Sequence, residues 1–301
     1  MKLGELAPAQ LRQRLADNSL VLRTGPFVTR IHSPMPLIAD GLLRLYADFP
    51  LADGEFCDFH VRVGPPAGLR RWLRPQINFW HDGHSPFKPL PANHAFALLE
   101  WGLNWCVAGH AHHYLMLHAA VLEKNGRAVV LPGDPGAGKS TLTAALMLSG
   151  WRLLSDEITL VDRDDGRLVG LARPVSLKNA SIAVIQRAFP DAVIGAPARD
   201  THKGTVAHLQ PSADSVARVD QKARPAWVVF PRWSKENTAA RLSPHSRADA
   251  FLHTASHAFN YSLLGGLGFE LNAALMDACE CYDFTYSNLD DALRVFAELA
   301  A

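Results

Sequence analysis

The chain has 301 residues, 48% of them hydrophobic, and a formal net charge of +1. That balance suits one large or two modest globular domains. It argues against nucleic acid as the main partner, because binding a phosphate backbone calls for a basic surface. No apolar run approaches the ~18 residues of a membrane span, and Met1-Lys2-Leu3-Gly4-Glu5 lacks the long apolar core of a signal peptide.

Taken in order, Leu3, Leu6, Leu11 and Leu15 predict a short helix over residues 3–16. Val21–Ile31, Leu42–Tyr46, Phe59–Val63 and Trp72–Phe79 are predicted strands. In the third, Phe59, Val61 and Val63 alternate with His60 and Arg62, the period of a half-buried strand. Gly25-Pro26, Asp53-Gly54, Gly64-Pro65-Pro66 and Asp82-Gly83 punctuate them. Asn93 is set to cap a helix running to about Ala108, with Phe96, Leu99, Leu103, Cys106 and Val107 on its apolar face. These elements predict a small β-rich N-terminal domain with a linking helix, residues 1–112, and a second domain over 113–301. Trp101 and Trp105 read as packing residues. His110, His112 and His113 read as a helix end, where imidazolium suits the dipole, because no acidic or cysteine metal ligand lies near them in sequence.

Leu115–Leu122 and Arg127–Leu131 flank Glu123-Lys124-Asn125-Gly126, and Asn-Gly between two apolar runs predicts a hairpin. The second arm leads into Gly133-Asp134-Pro135-Gly136-Ala137-Gly138-Lys139-Ser140, which has the pattern G-x-x-x-x-G-K-S of a phosphate-binding loop. Its glycines let backbone N–H groups form an anion nest. The helix expected from Thr141 to Leu148 adds the favourable end of its dipole. Gly133, Asp134, Gly136, Ala137, Gly138, Lys139, Ser140 and Thr141 are the predicted contacts to ATP. Lys139 would reach the β- and γ-phosphates, and the Ser140 hydroxyl would bind Mg²⁺.

A strand over Trp151–Leu154 runs into Ser155-Asp156-Glu157, followed by an apolar run over Ile158–Val161. Adjacent residues at a strand end face opposite ways, so of Asp156 and Glu157 one carboxylate can serve the metal and the other an acceptor hydroxyl. A helix is predicted over Ser181–Phe189. Residues 191–212 read as a polar loop of the kind used as a lid. Lys178 and Lys203 are candidate phosphate contacts. A strand over Trp227–Phe230, helices over Arg247–Ala258 and Phe269–Cys279, a strand over Tyr282–Tyr286 and a last helix capped by Asn288 complete the chain. Cys57, Cys106, Cys279 and Cys281 have the spacing of neither a metal site nor a disulfide framework. Reduced, buried thiols in a cytoplasmic protein are expected.

The His118-containing arm, the phosphate loop and the acidic pair that follows resemble HPr kinase/phosphorylase, over roughly residues 114–162. In that family a His-bearing hairpin leads into a G-D-S-G-x-G-K-S loop, and an Asp-Asp pair follows. The resemblance implies a P-loop α/β kinase core akin to phosphoenolpyruvate carboxykinase, with ATP and Mg²⁺ as cofactors and phosphorylation of a serine hydroxyl. It makes Asp156 the catalytic acid/base, Glu157 the second acid and His118 the histidine that contacts the catalytic carboxylate. It also implies a homo-oligomer. Pro135 stands where the family has serine, Glu157 stands where it has aspartate, and the family's later E-[IV]-R-G-x-G signature is missing. The chain therefore looks more like the divergent HPr-kinase-related group (HPr-rel-A type), with a peptide or small-protein serine as acceptor. A small-molecule hydroxyl kinase and a non-catalytic ATP-binding module are the alternatives.

Overall fold

The computed structural model describes residues 1–54, 56–68, 75–134, 136–236 and 239–301. It is a mixed α/β protein with several sheets and two compact units. The first unit comprises Met1–Val107 with Ser176–Ala217, and the second Ala108–Val175 with Arg218–Ala301. The sequence boundary at residue 112 groups all of 113–301 together, whereas Ser176–Ala217 packs with the first unit. Within that unit Arg44 Nε donates to the Ile194 carbonyl at 2.8 Å, and His94 Nε2 lies 2.6 Å from the Arg199 carbonyl.

The first unit carries a five-stranded sheet in the order Leu20–Thr24, Phe27–His32, Phe59–Gly64, Gln76–His81, Leu90–Pro91. The run expected as one strand over Val21–Ile31 is a hairpin that turns at Gly25-Pro26. The strand expected over Leu42–Tyr46 is instead part of a helix, Pro36–Leu45. Ile38, Ala39, Leu42 and Leu45 form its buried stripe, and Pro36 opens its first turn, so helical period overrides a short apolar run. The strand expected over Trp72–Phe79 is Gln76–His81 as far as it is described, and Trp72 lies outside the described residues. The loop expected over 191–212 contains paired strands, Ala198–Thr201 and Gly204–Leu209. Trp101 packs on the His202 ring and Trp105 on the rings of His81 and Phe87.

In the second unit a six-stranded sheet runs in the order Arg241–Pro244, Glu280–Tyr286, Arg224–Trp233, Arg127–Pro132, Ala119–Lys124, Arg152–Ser155. Arg224–Trp233 is parallel to both of its neighbours, and the other pairings are antiparallel. The central strands are apolar on both faces, as sheets covered on both sides require. Ala128, Val130, Val228, Phe230 and Cys281 face a core shared with Ala250, Leu271, Leu275 and Met276 of the helices Arg247–Ser256 and Gly266–Ala278. The helices Lys139–Leu148 and Leu289–Ala300 pack together, and Phe296 meets Trp151 and Phe284 edge-on.

The expected hairpin is present, with Lys124 paired to Arg127 and Asn125 and Gly126 both at positive φ, 55° and 79°. The first arm, however, is not continuous. Tyr114–Leu117 pairs with Thr159–Asp162 in a separate three-stranded sheet, and the chain enters the large sheet only at Ala119. His118 occupies the break. All four cysteines are free and buried. Among the described residues, no helix is long and apolar enough to cross a membrane.

Candidate nucleotide site

The strand Arg127–Pro132 delivers the glycine loop, and the helix Lys139–Leu148 leaves it. Pro135 of the motif lies outside the described residues. Gly136 and Gly138 hold φ values of 93° and 88°, a left-handed conformation that L side chains avoid. At Gly138 the space is closed as well, since a Cβ there would come within 2.4 Å of the Tyr286 hydroxyl. That hydroxyl donates to the Gly138 carbonyl at 3.0 Å, and the Trp233 amide donates to the Ala137 carbonyl at 3.0 Å. The ends of two neighbouring strands therefore clamp the loop. The Ala137 amide closes a turn onto the Asp134 carbonyl at 3.1 Å, so in this conformation it does not join the nest of inward amides that the motif predicts.

Lys139 is buried at the first position of the helix. Ser140, one residue on, donates from Oγ to Asp156 Oδ2 at 3.4 Å. Asp156 is only 6% exposed, at the end of the strand Arg152–Ser155. The turn that carries it and Glu157 is held by the Ile158 amide, which donates to Ser155 Oγ at 3.1 Å. Two hard oxygen donors thus converge beside the helix N-terminus, a donor set of the kind Mg²⁺ takes together with phosphate oxygens. The fit is chemical: a hydroxyl and a carboxylate at the mouth of a glycine loop whose helix dipole favours anions.

The His118 turn lies beside this acidic turn. Leu117 pairs with Thr159, Val121 pairs with Ser155, and Thr159 Oγ1 donates to the Ala119 carbonyl at 3.0 Å. These pairings bracket residue 118 on one segment and residues 156–157 on the other. The His118 ring stacks on Phe259 at 5.7 Å, and its amide donates to the His257 carbonyl at 3.0 Å.

Lys178 and Lys203 belong to the first unit. The turns that carry them adjoin, because the Asn179 amide donates to the Thr205 carbonyl at 2.8 Å and Asn179 Oδ1 accepts from the Thr205 amide at 3.0 Å. The Lys203 ammonium lies 5.6 Å from the centre of the Trp101 ring, a cation–π contact.

Sequence reasoning missed two side chains next to the loop. Asp134 Oδ1 lies 3.1 Å from His257 Nε2, and the His253 ring stacks on His257 at 4.4 Å. The signal was available as His-x-x-x-His within a predicted helix, since residues four apart share a helix face.

No family model matches the chain, and no curated protein matches it. Among solved structures the chain is similar to the Hpr(Ser) kinase/phosphatase from Coxiella burnetii, at 12% identity and a TM-score of 0.25, covering 61% of this chain and 96% of that chain.

Proposed function

We propose that this protein is a kinase that transfers the γ-phosphoryl group of ATP to a serine hydroxyl of a peptide or small protein. The observation that supports this best is the Ser140–Asp156 contact at 3.4 Å at the mouth of the strand–loop–helix unit. A nucleotide module with no chemistry to perform has no need of a buried carboxylate at that point.

In this reading the loop residues Gly133, Asp134, Gly136, Gly138, Lys139, Ser140 and Thr141 bind the phosphates. Lys139 supplies a positive point charge at the β- and γ-phosphates. Ser140 and Glu157 are the oxygen donors proposed for Mg²⁺, which would neutralise charge on the transferring phosphoryl. Asp156 orients the acceptor hydroxyl and takes its proton as the O–P bond forms, and ADP departs as the bond from Pγ to the β–γ bridging oxygen breaks. His118 positions the acidic turn.

The test is mass spectrometry of serine-containing peptides and of free serine after incubation with Mg·ATP. A mass gain of one phosphoryl group on peptide serine supports the reading. Transfer to free serine or simple alcohols alone would move the function to a small-molecule kinase. Tight ATP binding with no turnover would reduce it to a binding module.

A further inference from the structure

We propose that Asp134, His253 and His257 form a binding site for a transition-type divalent cation, Zn²⁺ foremost, at the edge of the glycine loop. One ligand atom from each of the three residues lies within 4.8 Å of the others, and among the described residues this is the group able to hold a metal through His, Cys, Asp or Glu. The site shares no residue with the Ser140–Asp156 pair.

The geometry favours a cation over a chance cluster for three reasons. His253 and His257 stand four residues apart at the end of the helix Arg247–Ser256, so both rings lie on one face. His257 Nδ1 lies 2.9 Å from the His253 carbonyl and 3.0 Å from Ser256 Oγ. A ring nitrogen that donates to a backbone carbonyl leaves the other nitrogen as the ligating atom, the outer-shell arrangement typical of metal-binding histidines. That other nitrogen, Nε2, faces Asp134 Oδ1 at 3.1 Å. Finally, His253 Nε2 is buried and meets no hydrogen-bond partner among the described residues.

The donor set points the same way. The two imidazoles stack with their planes only 14° apart. Two imidazole nitrogens and one carboxylate match Zn²⁺ and its imidazole-binding neighbours, whereas Mg²⁺ and Ca²⁺ prefer oxygen alone. The His257–Asp134 separation already equals the ~3.3 Å edge of a tetrahedral zinc site to within a few tenths. Since Asp134 is the second residue of the loop motif, an ion held there would tie the loop to the helix Arg247–Ser256.

The experiment titrates the full-length protein with Zn²⁺ by calorimetry and with Co²⁺ by visible absorption. The wild-type protein is expected to bind one equivalent and to give the intense d–d bands of a four- or five-coordinate N/O site. His253→Asn, His257→Asn and Asp134→Asn should each weaken that binding by more than about tenfold. His257 also closes its helix, so His253→Asn, whose ring Nε2 meets no hydrogen-bond partner among the described residues, is the decisive variant, with circular dichroism to confirm folding. A triple variant of His110, His112 and His113 to Asn should bind as the wild type does. Unchanged affinity in a folded His253→Asn protein would overturn the site, and so would loss of binding in the triple variant alone. The readout needs no catalytic turnover, so the proposal can fail or stand independently of the kinase reading.

Discussion

The Ser140 hydroxyl and the Asp156 carboxylate meet across 3.4 Å although 16 residues separate them in the chain. The intervening residues are the helix after the loop, its Gly150 stop at φ 89°, and one short strand. This return brings the strand end carrying Asp156 back to the N-terminus of the helix it follows. If the Ser140 oxygen serves the metal, Ser140→Ala should weaken ATP binding in the presence of Mg²⁺ by about tenfold, or ~1.4 kcal/mol, with little change when Mg²⁺ is chelated. Fluorescent-nucleotide titrations with and without EDTA make the comparison.

Gly138 is required for both conformation and space. Its φ is 88°, and a Cβ would meet the Tyr286 hydroxyl at 2.4 Å and the Trp233 Cβ at 2.8 Å. Gly138→Ala is expected to destabilise the protein by about 1–3 kcal/mol and to abolish nucleotide binding. Tyr286→Phe, which removes the hydrogen bond to the Gly138 carbonyl, should cost about 1 kcal/mol. Denaturant melts of the two variants would rank them in that order.

A buried ion pair, remote in role from the loop, sets an acid limit. Glu123 Oε2 accepts from Arg152 Nε at 2.6 Å, and both side chains are 3% exposed. Arg152 also donates to the Arg218 and Gln221 carbonyls, each at 2.9 Å. Removing one partner of such a pair strands the other, so Arg152→Ala should cost about 3–5 kcal/mol. Burial pushes the Glu123 carboxyl up, but the Arg152 hydrogen bond, the Gly126 amide and the charges of Arg152 and Arg218 outweigh it and hold the group below its ordinary 4.5. Lys222 and nearby amides likewise outweigh burial and hold Asp162 below 3.8. A depressed carboxyl stabilises the fold fully above its unfolded pKa and loses that contribution as pH falls through the folded value. The contribution of these two carboxyls should therefore be constant above about pH 5 and fall below it, with a shallower fall in Glu123→Gln. Urea melts across pH 3–7 would show no difference in slope between the two proteins if the pair were unimportant.

The cysteines give a simple check on the core. All four are buried, and burial pushes the Cys279 thiol up to about 12. Since the thiolate is the reactive form, the native protein should react slowly with a disulfide reagent and release four equivalents only on unfolding. A fast-reacting thiol in the folded protein would contradict the packing described.

What the sequence made legible was local chemistry. The loop pattern, the Asn125-Gly126 turn, the Asn288 cap and the alternation through Phe59–Val63 are each carried by a few adjacent residues, and each is present in the structure. What it hid depends on distant partners. Leu42–Tyr46 reads as a strand until Ile38 and Leu45 are seen to share a buried helix face. The break at His118 appears only when its two flanks join different sheets. The strands within 191–212 need each other, since neither Ala198–Thr201 nor Gly204–Leu209 announces itself alone. The His253–His257 pair acquires meaning only once Asp134 comes to rest beside it.

The central claim is tested most directly by one comparison: phosphopeptide mass spectrometry on wild-type protein and on Asp156→Asn, with equal Mg·ATP and the same serine peptides. The account predicts phosphoserine from the wild type and a loss of at least about a hundredfold in the variant, with ATP still bound by both. Phosphoserine formed at equal rates by the two proteins would contradict it.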